Sequence, residues 1–411
     1  MSSLLAILLS AASIAAPGDH IRAGDAVLVP DIDIGMEYRT NVYRKDQNPV
    51  PGANLRVSPG LNLKVDNPMN AFNIGGEWEL RKFFFVGDAG SGPVSASEQI
   101  QNLDQFNEVS LDANLDALKQ EVVGIQLSNG AAVKNNLTDA SLNSDAFNTR
   151  IRNQLSGGLR ISPGPALAII PGGTWVYDDY RATGSPDKRY NQRQSYGPTL
   201  QTTWDFFPRT SFVFRGDYLL YSWSENVVSD GVDPSLGGGT IELPNSRHLK
   251  FDTGLSGRFS NKLFLDTLFG YGFAVYDGAD LADNLKGLDG FRTSLQLRYA
   301  VSENAQASLG YKRDFTDSFF TNWIAYDNLY ALLQANVADF RPSAKFSGRF
   351  EEYAGGNQRN DLLLRFDLNA AYDIQTWASV SSGFGWQQRA SSLNTVEYDD
   401  YQFRLFGTFK Y

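Results

Sequence analysis

From about Val27 onward the chain repeats one theme: roughly 10 to 14 residues in which apolar and polar side chains alternate, then a break. In His248–Phe259, Leu249, Phe251, Leu255 and Phe259 share one parity, while His248, Lys250, Asp252, Ser256 and Arg258 share the other. Phe291–Val301 sets Phe291, Leu295, Leu297, Tyr299 and Val301 against Arg292, Ser294, Gln296 and Arg298. Leu362–Tyr372 sets Leu362, Leu364, Phe366, Leu368 and Tyr372 against Arg365, Asp367 and Asn369. Successive side chains of a strand point to opposite faces, so each segment predicts a strand with one greasy side and one wet side.

The breaks alternate in kind. Ser162-Pro-Gly-Pro165, Phe207-Pro208-Arg209, Ser260-Asn261-Lys262, Ser302-Glu303-Asn304 and Asp373-Ile374-Gln375 are short. Asp178–Arg193, Ser224–Ser246, Asp277–Asp289, Thr316–Ala325 and Arg389–Val396 are longer. Short and long connections taking turns put tight turns on one rim of a closed sheet and loops on the other. The fold class this predicts is all-β: a transmembrane, antiparallel, up-and-down β-barrel of about 18 strands, with short periplasmic turns and longer extracellular loops. An even total returns the last strand to the rim where the first began. A soluble propeller is the structural rival, but it would need a motif recurring about every 40 residues, and none is found. Aromatics cluster instead near predicted strand ends, at Tyr177 and Tyr180, Trp204 with Phe206 and Phe207, and Tyr221 with Trp223. Girdles at a membrane interface explain that placement.

The two ends of the chain add to the picture. Met1–Ala16 has a short apolar core followed by small residues, without Lys or Arg ahead of it. It reads as a secretory signal peptide over residues 1–16, leaving 17–411 as one barrel domain. At the other end, Tyr401, Phe403, Leu405, Gly407, Phe409 and Tyr411 alternate with Gln402, Arg404, Phe406, Thr408 and Lys410. Phe403, Leu405, Gly407, Phe409 and Tyr411 resemble the terminal assembly signal of outer-membrane proteins. The glycine usually found five residues before the end stands one place later here, at Gly407, with Phe406 in its usual position.

Composition narrows the chemistry. The chain has no cysteine, which removes disulfides and thiolate sites. A formal charge of −10 argues against nucleic acid as a partner. Aromatics make up 13% of residues although mean hydropathy is negative, the combination expected when lipid-facing and water-facing residues alternate. His20 and His248 are the two histidines, and neither a G-x-S-x-G elbow nor an H-E-x-x-H helix occurs, so no catalysis, metal or cofactor is expected.

A barrel of this width leaves an aqueous lumen unless something fills it. The predicted lumen face of the early strands is acidic, carrying Asp31, Asp33, Glu37, Glu77, Glu79, Asp112 and Asp116. Later strands place Arg150, Arg152, Arg160, Arg215, Lys250, Arg258, Arg292, Arg298, Arg349, Arg365 and Arg404 on that face. Such walls either set a transverse field that orients polar solutes or pair internally to hold the barrel's shape. Inner-face aromatics for stacking on sugars are expected at Tyr221, Tyr276, Tyr330 and Trp377. The segments Phe85–Asp104 and Asn129–Ala146 are expected to be loops able to fold inward. Acids such as Asp178 and Asp179 are expected on a solvated rim.

One stretch carries a family resemblance. Gly24–Gly35 leads into Tyr38-Arg39-Thr40-Asn41-Val42-Tyr43-Arg44, and Val57-Ser58-Pro59-Gly60-Leu61-Asn62-Leu63 follows after a loop. This resembles the opening of the type 2 group of outer-membrane β-barrel porins, with Arg39-Thr40 where that family often has two acids. Some members of the group are implicated in exopolysaccharide export, so the resemblance implies a conduit for saccharide polymer with a periplasmic export component as partner. A general or selective diffusion porin is the alternative, and a structural envelope or motility barrel with a closed lumen is a third. All three imply an outer-membrane location after signal cleavage. They also imply contact with lipid and lipopolysaccharide, and insertion by the barrel assembly machinery.

Overall fold

The computed structural model describes residues 20–42, 44, 49–86, 107–136, 148–182, 189–224, 227–228, 241–242, 244–277, 287–317, 323–354, 359–392 and 397–411. The expected signal peptide and most of 85–104 lie outside them. The strands are β1 (Ile21–Ala23), β2 (Ala26–Arg39), β3 (Gly52–Asp66), β4 (Asn70–Val86), β5 (Asn107–Ala117), β6 (Val123–Asn136) and β7 (Asn148–Gly164). They continue with β8 (Leu167–Ala182), β9 (Arg189–Phe207), β10 (Thr210–Trp223), β11 (Val227–Val228), β12 (Ile241–Glu242), β13 (Ser246–Arg258) and β14 (Leu263–Tyr276). The last are β15 (Gly287–Ser302), β16 (Ala305–Asp317), β17 (Trp323–Ala335), β18 (Phe340–Ala354), β19 (Arg359–Gln375), β20 (Ala378–Ser391) and β21 (Tyr398–Lys410).

Each long strand pairs antiparallel with its neighbours in sequence, and β21 returns to β2 in the register Asp31↔Lys410 through Arg39↔Gln402. The result is the expected closed, up-and-down barrel of 18 strands. β11 and β12 form a separate two-stranded ribbon. β1 doubles back on the start of β2, Ile21 opposite Leu28. It lies end to end with β21, where His20 Nδ1 meets the Tyr411 carbonyl at 3.1 Å.

Alternation decides the faces. Ile34, Met36, Leu61, Trp78, Leu111, Leu155, Trp204, Phe269, Phe291, Leu309, Leu368, Phe403 and Leu405 are all exposed on the outside. A continuous apolar exterior of this extent has no place in water and fits the hydrocarbon of a bilayer. The core is instead inside and polar: Glu37, Asn54, Asp178, His248, Asp361, Arg389 and Asp400 are nearly inaccessible.

Short turns close one rim through local hydrogen bonds. Met69 and Asn70 donate their backbone N–H groups to Asn67 Oδ1, and Lys262 and Leu263 donate theirs to Ser260 Oγ. Several strands run further than the sequence suggests. β6 continues to Asn136, so the expected loop over Asn129–Ala146 begins inside a strand. β8 extends to Ala182, which takes Asp178 and Asp179 off the solvated rim and buries both. Polar residues on an inward face need no apolar partner, so a run rich in Asn, Ser and Asp remains compatible with a strand whose interior is wet.

The seam between the first and last long strands depends on one glycine. A Cβ at Gly35 would stand 2.1 Å from the Phe406 ring, which packs against the β2 backbone there. Phe406 therefore points inward, and the lipid-facing row of β21 is Tyr401, Phe403, Leu405, Gly407 and Phe409. Tyr38 meets Phe403 on that outer side, with ring centroids 6.4 Å apart.

Candidate pore constriction

The acidic residues of the early strands share the face opposite the exposed apolar row. Two of them are tied by an arginine the sequence reading passed over. Arg56 on β3 reaches Glu37 on β2 at 2.9 Å and also bonds Glu79 on β4. Arg81 adds a second contact to Glu79 at 2.5 Å, with Glu108 at 3.8 Å. Asp112 accepts a hydrogen bond from Asn73 Nδ2 at 3.2 Å. Asp31 packs beside Gly60, while Asp33 and Asp116 each keep a buried carboxylate oxygen without a hydrogen-bond partner. Glu77 lies on the same face of β4 and pairs across to Gly60.

Many basic residues of the later strands stand beside acids on the same or a neighbouring strand. Arg150 and Arg193 hold Asp178 at 2.6 and 2.9 Å, and Arg152 lies 3.9 Å from it. Arg365 and Arg404 share Asp367, at 2.6 and 3.4 Å. Arg349 pairs with Glu351 at 2.8 Å and covers the Tyr326 ring. Arg389 bonds Asp361, and Arg39 bonds Asp400, both fully inside. Arg160 donates to the Leu118 carbonyl at 3.0 Å, and Arg298 stacks 3.9 Å over Phe264. Arg258 lines a cavity of about 390 Å³ with Arg209, Ser211 and Ser256, and Arg215 sits opposite Asp252 in the β10–β13 register. Interleaving on this scale keeps the field of each charge short.

The interior is narrowed from one side by the end of the β16–β17 hairpin. β15 pairs with β14 over its whole upper part, down from Gly287, but pairs with β16 only from Thr293↔Arg313 toward the short-turn rim. β16 keeps its pairing with β17 as far as Asp317↔Trp323. Beyond Arg313 β16 therefore parts from β15, while β17 stays paired with β18 as far as Trp323↔Ala354. The face that would have continued the outer row of Leu309 and Tyr311 is laid against the inner face of β13 and β14, so that the sheet overlaps itself. Phe315 is buried there with Ala274 and Tyr276, and Leu288, Trp323 and Ala325 pack around them. Gly272 gives the Phe315 ring its seat, since a Cβ would stand 2.7 Å from that ring.

Asp317 secures the overlap. It accepts hydrogen bonds from Ser246 Oγ at 2.6 Å and Tyr276 OH at 3.0 Å, and His248 Nε2 lies 2.7 Å away. Its carbonyl accepts from Arg193 at 3.3 Å. One turn of pairing earlier, Lys250 donates to the Phe315 carbonyl at 2.6 Å and lies 3.3 Å from Asp314, which Arg292 also binds at 2.9 Å. Asp317 is 4% exposed, and a carboxylate at that burial persists only with such partners. Of these residues Lys250, Arg292, Tyr276 and His248 drew attention in the sequence, as did Tyr221, whose ring centroid lies 4.5 Å from that of His248. Arg193, Asp314 and Asp317 did not, because a hairpin that folds back has the same alternation as one that stays in the wall. Trp377, expected inside, stacks on Phe409 at 6.3 Å on the outer face.

Space remains along the opposite wall. A cavity of about 430 Å³ follows β3 to β9 near the short-turn rim. Its polar lining is mostly amide and hydroxyl: Asn73, Asn114, Gln126, Ser128, Ser156, Thr174, Thr199 and Gln201, with Lys64 and Asp116 as the charged members. Ser156 and Thr174 share a hydrogen bond of 3.0 Å across β7 and β8.

No protein-family model matches this chain, and no curated protein matches it in sequence. Solved structures do match in fold. The FrpB iron transporter from Neisseria meningitidis (F5-1 variant, apoprotein form) aligns with TM-score 0.50 and 8% identity, over 98% of this chain and 82% of that one. OccK3 (OpdO) from Pseudomonas aeruginosa aligns with TM-score 0.48 and 11% identity, over 94% and 96%. The copper transporter OprC gives TM-score 0.48 and 11% identity over 90% of this chain, which spans 62% of its length. At these identities the likeness is one of fold. The class is a large closed barrel of outer-membrane type.

Proposed function

We propose that the protein is an outer-membrane channel for hydrophilic solutes of the saccharide class. The observation that carries this reading is the amide- and hydroxyl-lined cavity along β3 to β9, which lies nearer the short-turn rim than the Arg56 and Asp178 ion pairs of the same strands. Neutral donors and acceptors in both senses match sugar hydroxyls, which both give and take hydrogen bonds. A small ionic solute would be better served by unpaired charge. In this reading residues 1–16 are removed on secretion, the short-turn rim faces the periplasm, and Phe403–Tyr411 carries the signal for barrel assembly. The sequence resemblance sharpens the proposal to export of a saccharide polymer, with a periplasmic export component at the short-turn rim. A second reading, a structural barrel with a closed lumen, draws support from the inward hairpin.

The test is conductance of the refolded barrel in a planar bilayer, with and without neutral and anionic oligosaccharides. Discrete interruptions by sugars in a steady current are the expected result. A steady current indifferent to sugars would remove the saccharide reading in favour of a general porin. Absence of current under every condition would favour the structural barrel.

A further inference from the structure

We infer that Arg209, Arg258 and Arg298 form an oxyanion site at the short-turn mouth of the lumen, which takes the carboxylate or phosphate group of an acidic saccharide. The saccharide as ligand rests on the channel reading above, whereas the oxyanion site stands on its own geometry.

The strand registers build the site in two rows. The tight turn after β9 brings Arg209 level with Arg258, whose backbone N–H donates to the Arg209 carbonyl at 2.8 Å. Arg258 pairs with Phe264, and Phe264 with Arg298. Arg258 shares the inward parity of Lys250 on β13, and Arg298 that of Arg292 on β15. Two residues further up the wall, Ser211, Ser256, Asp266 and Gln296 are matched in the same order. Arg209, Ser211, Ser256, Gly257, Arg258 and Phe264 line the cavity of about 390 Å³ between them.

Three observations give this cavity its chemistry. First, its guanidinium groups lack the partners that arginines have elsewhere in the lumen. Arg56, Arg150, Arg292, Arg365 and Arg389 each hold a carboxylate. Among the described residues, Arg209, Arg258 and Arg298 have none within ion-pair distance. Like charges in one row of a sheet repel, so a bound anion relieves a strain that the register itself imposes. Second, two of the three groups are fixed in place. Arg209 Nη1 donates to Asn261 Oδ1 at 3.1 Å. Arg298 stacks 3.9 Å over the Phe264 ring, and its Nε is buried without a hydrogen-bond partner. A planar fork held this way offers parallel N–H groups to the oxygens of a carboxylate or phosphate. Third, the nearby acids do not cancel the charge. Asp205 is engaged by the Ser211 hydroxyl, and Asp266 stands in the upper row opposite Ser256 and Gln296.

The neighbouring wall supplies the rest of the ligand. β9 ends at the Arg209 turn and also carries Thr199 and Gln201 of the amide- and hydroxyl-lined cavity. A solute with hydroxyls and an acid group meets neutral donors and acceptors on one stretch of wall and the arginine row on the next. A neutral sugar engages only the first, and inorganic phosphate only the second.

The test is calorimetric titration of the full-length barrel in detergent with a glucuronic acid trimer, a glucose trimer and inorganic phosphate. The double variant Arg258→Gln with Arg298→Gln should bind the acidic trimer more weakly by about tenfold or more, with the glucose trimer unaffected. Arg258→Lys with Arg298→Lys keeps the charge without the fork and should recover only part of the affinity. Lys345→Gln removes a lumen cation beside Tyr330, on another stretch of wall, and should bind as the parent does. The heat-dependent shift in gel mobility reports that each barrel is folded. Unchanged affinity in the double glutamine variant overturns the site, and so does an equal loss in Lys345→Gln, which would reduce the effect to overall charge. If inorganic phosphate displaces the acidic trimer at equal concentration, the oxyanion site stands and the saccharide as its ligand is overturned. If the acidic trimer binds but the barrel carries no current in a bilayer, the site stands and the channel reading fails.

Discussion

Arg56 bridges carboxylates on both neighbouring strands, Glu37 on one side and Glu79 on the other, and neither acid has much access to water. Removing the guanidinium leaves buried Glu37 without the cation between it and Glu79, which Arg81 still holds. Breaking a buried pair in this way costs about 3–5 kcal/mol. Arg56→Met should therefore lower the denaturant midpoint of the folded barrel clearly, and adding Glu37→Gln should recover part of the loss. Equal midpoints for Arg56→Met and the parent protein would show that lumen water screens the cluster. At this scale the sequence was half legible. Period-2 alternation assigned Glu37 and Glu79 to the wet face, because parity alone fixes that. It did not reveal that Arg56 lies between them, since that depends on the stagger of three strands. Asp178 shows the same limit: beside Asp179 it looked like a rim acid, yet Arg150 and Arg193 from the adjoining strands enclose it.

Strands and hairpins were read more reliably than their ends. The turn chemistry at Ser260-Asn261-Lys262 and Ser302-Glu303-Asn304 located hairpins directly, whereas the longer connections were overestimated because inward-facing polar strand ends resemble loops. β6 is the plainest case, with Ser128, Gly130, Ala132 and Lys134 alternating against small outer residues that give a weak apolar signal. The inward turn of β16–β17 left no trace in the pattern. The close approach at the seam is similarly silent in sequence, although it has a sharp consequence. Gly35→Val would drive a side chain into Phe406 and the Leu405 carbonyl. The substituted barrel should lose its heat-dependent shift in gel mobility at a lower temperature than the parent, while a valine placed at Gly130, where the added Cβ meets nothing, should leave it unmoved.

For the whole molecule, the lumen is lopsided. The folded hairpin and its ion pairs occupy one flank, and along the other amides and hydroxyls line the space near the short-turn rim, with the Arg56 and Asp178 ion pairs further up the same strands. Because most of the interior charge is neutralised by near neighbours, the channel should discriminate poorly between small cations and anions despite the chain's net charge of −10. A reversal potential close to zero in a salt gradient is the expected reading, and a strongly selective one would mean that the lumen charges act unpaired on passing ions.

The closing seam carries a mechanical implication of its own. β2 and β21 are matched over nine residue pairs, against fourteen between β2 and β3 and twelve between β20 and β21. Two hydrogen bonds, Thr40 to Tyr401 and Tyr411 to Pro30, lengthen it slightly, and β1 lies against what remains of the β2 edge. Under a load applied to the last strand, the barrel would unzip along that line first, peeling off β21 as a unit with its neighbours before any interior ion pair on the far flank felt the pull.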